Sequence, residues 1–181
     1  QPLRGKWAEM GFRLARDRKL AGLNLVDFWA GYADRLIKPG KVNPDAEAKG
    51  GGLGVVLAGR NLRRSLPPEV LARLIGPCLE KCQTRKVYLL GGPGEKAAAR
   101  DLMRAMGRGV EHVENLAGKT SYTELAETVS GLDLVLTPDT GSMHLAAHLG
   151  VPVLASFLSS AWCFETGPYG VGHTVLQATA S

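Results

Sequence analysis

The stretch Leu132–Gly150, LDLVLTPDTGSMHLAAHLG, decides the fold. Its apolar run, Leu132–Leu136, stops at Thr137-Pro138. Asp139-Thr140-Gly141 follows, then a short apolar segment carrying His144 and His148, then Gly150. The pattern predicts a buried strand, a tight turn and a helix whose N-terminus faces the turn, with Val151–Phe157 as the next strand. A helix entered from the carboxyl end of a parallel strand points unpaired N–H groups and its positive dipole end at the crevice above the sheet. An anion such as a diphosphate is stabilised there. Asp139 or Thr140 is placed to cap the helix, and Gly141 leaves room for a ligand to approach the backbone. His144 lies about one turn in. The same residues also fit an ordinary capped helix with a core histidine, so this stretch alone leaves a ligand site and a structural turn equally open.

Working outward, strands and helices alternate. Val55–Ala58 reads as a strand and Pro67–Cys82 as a helix disturbed at Gly76-Pro77. Val87–Leu90 is a strand, Gly94–Met106 a helix and Val110–Val113 a short strand. Ser121-Tyr122-Thr123-Glu124 is a capping box opening a helix that ends near Ser130-Gly131. His173–Leu176 reads as a last short strand. This spacing implies right-handed βαβ crossovers: an α/β, Rossmann-like parallel sheet with helices on both faces, occupying residues 50–181. The glycines of GGGLG, residues 50–54, precede a strand instead of following one. They do not fit a phosphate fingerprint and read as a flexible lead-in. Residues 1–49 form an N-terminal helical segment in which Trp7, Met10, Phe12 and Leu14 stand among Arg and Lys. Asn24 is an N-cap for a helix carrying Leu25, Phe28, Trp29, Tyr32 and Leu36, which Pro39-Gly40 ends. Such a segment covers the α/β core, links to another domain or lies on a membrane.

Composition bounds the function. The 181 residues are 45% hydrophobic and 22% charged, which suits one domain with a proper core. The net charge of +5 is compatible with anionic substrates or an anionic membrane surface. Few aromatic residues and no dense basic block argue against nucleic acid. No run is long and apolar enough to cross a membrane. The chain starts at Gln1 without a signal-peptide pattern, and we expect it to be a piece of a longer protein in a cytoplasmic, reducing compartment. Cys78 and Cys82, four apart on a helix, read as small buried residues rather than metal ligands, and Cys163 sits in a loop.

In such a sheet the loops after the strands carry the chemistry. After the first strand, Arg60, Arg63 and Arg64 fall within five positions. Arginine suits phosphate because its planar fork donates two hydrogen bonds at once. After the second strand come Gly91-Gly92-Pro93-Gly94-Glu95. The glycines allow close backbone approach, and Glu95 can accept from a ribose or favour the start of its own helix. Ala117-Gly118-Lys119-Thr120 mimics the end of a P-loop, but the first glycine of that motif is absent. His144 and His148 have zinc-helix spacing without the glutamate or a third ligand, so no metal is expected. After the last long strand, the polar and aromatic stretch Ser159–Gly172 reads as a lid or domain-facing loop.

LDLVLTPDTGSMHLAAHLGVPVLASF followed by GPYGVGH resembles the carboxyl-terminal half of family 9 glycosyltransferases, the ADP-heptose:lipopolysaccharide heptosyltransferases, from about Val55 to Leu176. The resemblance implies the C-terminal half of a GT-B fold, which holds the nucleotide-sugar donor, while the other half holds the acceptor and the general base. It places Asp139, Thr140, Gly141 and His144 around the donor's diphosphate and sugar, Arg64 at the family's basic position and Glu95 at its acidic position. Arg60 stands where a small hydroxyl residue is common, and Leu66 where an aromatic is usual. The donor-binding set is thus Arg60, Arg64, Glu95, Asp139, Thr140, Gly141 and His144, with no cofactor and no metal. The implied function is donor binding in an inverting glycosyltransferase of lipopolysaccharide core biosynthesis. The donor would be ADP-heptose-like, and the acceptor a lipid-linked glycan reached through a missing N-terminal domain, with peripheral contact at the cytoplasmic face of the inner membrane. The chain alone would then lack the base and be inactive. Two other readings are a non-catalytic nucleotide-binding or interaction module and a sugar-nucleotide epimerase fragment.

Overall fold

The computed structural model describes residues 9, 24–27, 50–57, 64–81, 86–158 and 162–178. Six strands form one sheet: β1 Leu53–Val56, β2 Val87–Leu90, β3 Val113–Asn115, β4 Leu134–Pro138, β5 Val153–Phe157 and β6 Thr174–Gln177. Five helices are interleaved with them: α1 Pro68–Lys81, α2 Lys96–Met106, α3 Tyr122–Ser130, α4 Gly141–His148 and α5 Cys163–Thr166. The strand order is β3-β2-β1-β4-β5-β6, and every neighbouring pair is parallel.

Strand alternation sorts the apolar side chains into two cores. Leu53, Val55, Val87, Leu89 and Leu136 pack with Leu71 and Ile75 of α1 and Ala99 and Leu102 of α2. Val56, Leu90, Val135, Val153, Ala155 and Phe157 pack with Val129 of α3 and Met143 and Ala146 of α4. The helices therefore cover both faces, as the alternation predicts.

Several boundaries differ from the sequence reading, each for a local reason. The strand expected at Val110–Val113 starts only at Val113, opposite Val87. Gly109, at φ +85°, and its carbonyl, which accepts from the His112 N–H, wind residues 110–112 into a 3-10 turn instead. Pro93–Glu95 is likewise a 3-10 turn, and α2 begins at Lys96. Helix α1 runs through Pro77 without ending. Arg73 and Pro77 are both exposed, so the carbonyl that proline leaves without a donor lies on the solvent side. Strand β4 is shifted to Leu134–Pro138, with Pro138 as its last residue beside Ser156. The stretch read as a lid or domain-facing loop contains α5. Ala58 and Cys82, and the N-terminal segment apart from Glu9 and residues 24–27, lie outside the described residues. Asn24 does cap its helix: its Oδ1 accepts from the Val26 N–H at 2.9 Å.

The capping box before α3 is complete. The Glu124 N–H donates to Ser121 Oγ at 3.3 Å, and the Ser121 N–H donates to Glu124 Oε2 at 2.7 Å. The Ser121 N–H, and then its hydroxyl, hold the Glu124 carboxyl below its ordinary 4.5. A depressed carboxyl pKa contributes stability above the unfolded value, and that contribution is lost as pH falls through the folded one.

The flexible lead-in is overturned. The N–H groups of Gly50 and Gly52 donate to the two carboxylate oxygens of Asp133, at 2.9 and 2.8 Å, and the Asp133 N–H donates to the Gly52 carbonyl. A Cβ on Gly51 would run into the Gly131 carbonyl, and one on Gly52 into the Lys86 carbonyl; Gly52 also sits at φ +89°. On Gly54, in β1, a Cβ would meet Leu132 Cδ1 at 2.5 Å. These glycines let the amino end of β1 pass between its neighbours. Gly52→Ala combines left-handed strain with a backbone clash and is expected to cost about 3 kcal/mol. Gly50→Ala has the same strain, at φ +71°, but open space around it, and is expected to cost about 1 kcal/mol. Urea unfolding of the two variants measures the difference.

Candidate functional site

In the order β3-β2-β1-β4-β5-β6 the crossovers leave β1 in opposite directions, so the switch point lies between β1 and β4. The loops beyond their carboxyl ends diverge there and open a crevice. The first carries Arg64, just before α1; the second is the turn from β4 to α4.

The two loops meet in an ion pair. Arg64 Nη1 donates to Asp139 Oδ2 at 3.2 Å, across 75 residues of sequence. The arginine side chain is 41% exposed and the aspartate 14%, so the pair sits at the mouth with its carboxylate on the inner side. Arg64 Nε is buried and has no hydrogen-bond partner among the described residues; neither has the hydroxyl of Ser65 beside it. The guanidinium is held from one edge while another donor goes unused.

Asp139 and Thr140 do not cap α4, contrary to the sequence reading. Thr140 occupies the N-cap position with extended backbone, φ −146° and ψ 168°, but no side chain bonds the helix end. The Asp139 carboxylate is turned to Arg64. The Thr140 hydroxyl lies 3.2 Å from that of Thr137. Thr137 gives its single proton to the Pro138 carbonyl at 2.8 Å, so Thr140 is the donor of that pair. The Met143 N–H is taken by the Thr140 carbonyl. The N–H groups of Gly141 and Ser142 have no acceptor among the described residues. An uncapped helix start presents exposed donors and the positive end of the dipole together. Gly141 adds space, since a Cβ there would meet nothing within 4 Å, and its φ is not left-handed.

His144 is exposed, while Met143 and Ala146 form the buried stripe of α4. The core-histidine reading is therefore excluded, and the imidazole stands one turn from the open helix end. His148 is exposed in the last turn of the same helix.

Glu95 is not brought to the Arg64–Asp139 pair. It lies beyond β2, on the far side of β1, and folds back on its own turn. A Cβ on Gly91 would fall 2.7 Å from Glu95 Cβ, and one on Gly92 would fall 3.1 Å from Oε2. Gly91 and Gly92 thus make room for this side chain rather than for a ligand's close approach. Its carboxylate takes no hydrogen bond among the described residues. The third-strand loop is buttressed on the same turn. The Gly118 N–H donates to the Gly91 carbonyl at 2.8 Å, and a Cβ on Gly118 would meet Lys96 Cε at 2.5 Å and Pro93 Cα at 2.8 Å. Arg60 lies outside the described residues. Burial pushes the Cys163 thiol up, so no activated thiolate stands at the rim.

Sequence reasoning passed over three features of the rim: Ser65, the Thr137–Thr140 hydroxyl pair and Trp162, whose Nε1 is buried without a partner. Only Ser65 had a local signal, its place next to Arg64. The others depend on how the chain turns after β4 and β5.

Comparison with known proteins bears on the whole arrangement. Residues 77–181 match the model of glycosyltransferase family 9 (heptosyltransferase). A 43-residue stretch is 44% identical to the lipopolysaccharide core heptosyltransferase OpsX of Haemophilus influenzae, covering 24% of this chain and 12% of that protein. The fold is similar to E. coli ADP-heptose LPS heptosyltransferase II (TM-score 0.65, 17% identity, 86% of this chain and 43% of that one). It is also similar to E. coli heptosyltransferase WaaC with ADP (0.66, 24%, 84% and 48%). A third similar structure is the family 9 glycosyl transferase from Veillonella parvula DSM 2008 (0.65, 19%, 91% and 52%). The chain spans about half the length of these solved structures and a much smaller part of the curated relative. The six-stranded parallel sheet, its carboxyl rim and a family match over more than half of the residues lead to one assignment: this chain belongs to glycosyltransferase family 9 (heptosyltransferase).

Proposed function

We propose that residues 50–181 bind the nucleotide-sugar donor of an inverting glycosyltransferase, with the donor's diphosphate at the start of α4. The observation that carries this reading is the uncapped helix end at the switch point, facing an arginine whose buried Nε lacks an acceptor. A diphosphate oxygen supplies acceptors to the Gly141 and Ser142 amides and to that guanidinium. Asp139 is acceptor-only and repels phosphate, so it acts through Arg64, holding the guanidinium across the mouth. Thr140 contributes through the same turn, His144 adds a donor one turn in, and Glu95 accepts from the ribose at the neighbouring rim position. Arg60 belongs to the same basic loop. Breaking the bond between sugar and diphosphate leaves negative charge on the leaving group. Preorganised amides and arginine stabilise that charge.

Two of the solved structures are described with ADP or an ADP-heptose analogue bound, and the curated relative is a lipopolysaccharide core enzyme. These support ADP-heptose as the donor and a lipid-linked core glycan as the acceptor. The half-length match supports an arrangement in which a second half of the protein carries acceptor and base; work at the cytoplasmic face of the inner membrane belongs to the same proposal. The same shortness favours one other reading, a stand-alone nucleotide-binding module without transfer activity. Joining the chain to its upstream coding sequence separates the two, because only the first gains sugar transfer.

Calorimetry with ADP, UDP and their sugars tests donor binding. Binding of the adenine series is expected, and silence from every nucleotide at millimolar concentration would end this reading. Arg64→Ala and His144→Ala are expected to weaken binding by about tenfold to a hundredfold, the range for a charge-assisted hydrogen bond. Both should lower the melting temperature little; so should Asp139→Ala, with weaker binding through the freed Arg64. A large loss of stability at unchanged affinity would return these residues to a structural role. Gly141→Ala isolates space from charge: its added methyl enters the open mouth, so stability is expected within about 1 kcal/mol of wild type while ADP affinity falls.

A further inference from the structure

The connection between β5 and β6 is fastened at two points. At its start, the Cys163 N–H donates to Oε1 of Gln177, the last residue of β6, at 3.1 Å. This sets the beginning of α5 at the carboxyl end of the sheet. Further along, the fastening comes from far upstream. Asn24 Nδ2 donates to the Gly167 carbonyl at 3.3 Å, and the Tyr169 hydroxyl donates to Asp27 Oδ1 at 2.6 Å. Both bonds are part-buried, and 143 and 142 positions separate their partners.

The upstream side is organised to make these bonds. Asn24 spends its side-chain oxygen on the Val26 N–H, which turns its amide nitrogen outward to Gly167. Asp27 follows in the first turn of the same helix. On the other side, Gly167 closes α5 by donating to the Cys163 carbonyl, and a Cβ there would collide with that carbonyl. Helix α5 has only four residues and cannot persist by its own hydrogen bonds. The neighbouring Asp27 carboxylate pushes the Tyr169 phenol up to about 12, so it stays a donor at neutral and mildly alkaline pH.

We propose that Tyr169 and Asp27, with Asn24 and Gly167, form a clasp through which the segment preceding the sheet domain holds the β5–β6 connection and so presets the carboxyl rim at Trp162. The effect on the rim rests on the donor-site reading above; the clasp itself does not. Trp162 occupies the N-cap position of α5, packs its ring 5.5 Å from Phe164 and buries Nε1 without a partner among the described residues. Its position follows that of α5, one strand away from the mouth between β4 and α4.

Hydrogen exchange and ADP calorimetry on the full chain test this in wild type, Tyr169→Phe, Asp27→Ala and the double variant. Tyr169→Phe removes one hydroxyl only, so general unfolding does not stand in for the local effect. Amides of residues 163–173 are expected to exchange several-fold faster in each single variant and by the same factor in the double, with α4 unchanged. ADP affinity is expected to fall several-fold in Tyr169→Phe. Unchanged exchange in either single variant, multiplied factors in the double, or wild-type ADP affinity despite faster exchange overturns the proposal. A wild-type chain that binds no ADP sinks the donor-site reading instead, and the exchange pattern alone then decides the clasp.

Discussion

Strand β1 pairs in parallel with β2 on one side and β4 on the other. A parallel neighbour can be reached only by a crossover, and crossovers keep one hand. The chain therefore leaves β1 over one face and returns to β4 over the other, and the loops after these strands part. The crevice, the ion pair across it and the direction of α4 all follow from this pairing. It in turn requires the amino end of β1 to slide between Lys86 and Gly131, which the absence of a Cβ at Gly51 and Gly52 permits. Asp133 ties that run to the start of β4. A motif at one end of the sheet is thus the steric condition for the site at the other.

The Arg64–Asp139 pair is better understood as an orienting contact than as a stabilising one. Partly exposed pairs contribute little, about 0–1 kcal/mol. Its effect is geometric: the carboxylate engages one edge of the guanidinium and leaves Nε buried and without a partner among the described residues. Folded structures seldom leave buried donors without acceptors, so each such group calls for an explanation such as strain, a water, an ion or a functional role. The Thr140 hydroxyl adds to this by donating to Thr137, whose own proton goes to the Pro138 carbonyl. That keeps a potential capping hydroxyl away from the helix end.

Membership of glycosyltransferase family 9 and the half-length match to solved structures with the same sheet underlie the proposal that the chain supplies one wall of a two-walled site. The open rim fits that proposal, since the Arg64–Asp139 pair lies partly exposed at the carboxyl end of the sheet. Contacts from residues 24–27 to the β5–β6 connection show that the part of the chain before the sheet also touches the domain near its rim.

What the sequence determined by itself was what depends on neighbours along the chain. The alternation of strands and helices, the Ser121–Glu124 capping box, the Asn24 cap and the strand–turn–helix at Asp139-Thr140-Gly141 are set by local periodicity and turn chemistry, and they were legible there. So was the family, because the motif from Leu132 to Phe157 is contiguous. Tertiary structure decided which side chains are spent on the protein itself. Asp139 was free to cap until Arg64 arrived from 75 residues away, and the glycines at 50–54 were read as a flexible lead-in because the atoms that crowd Gly51 and Gly52 come from Gly131 and Lys86, distant in sequence. Strand order is the same kind of fact. Hydrogen bonding between strands is nearly indifferent to which parallel neighbour supplies it, so only the packing of the helices on two faces could place β4 beside β1.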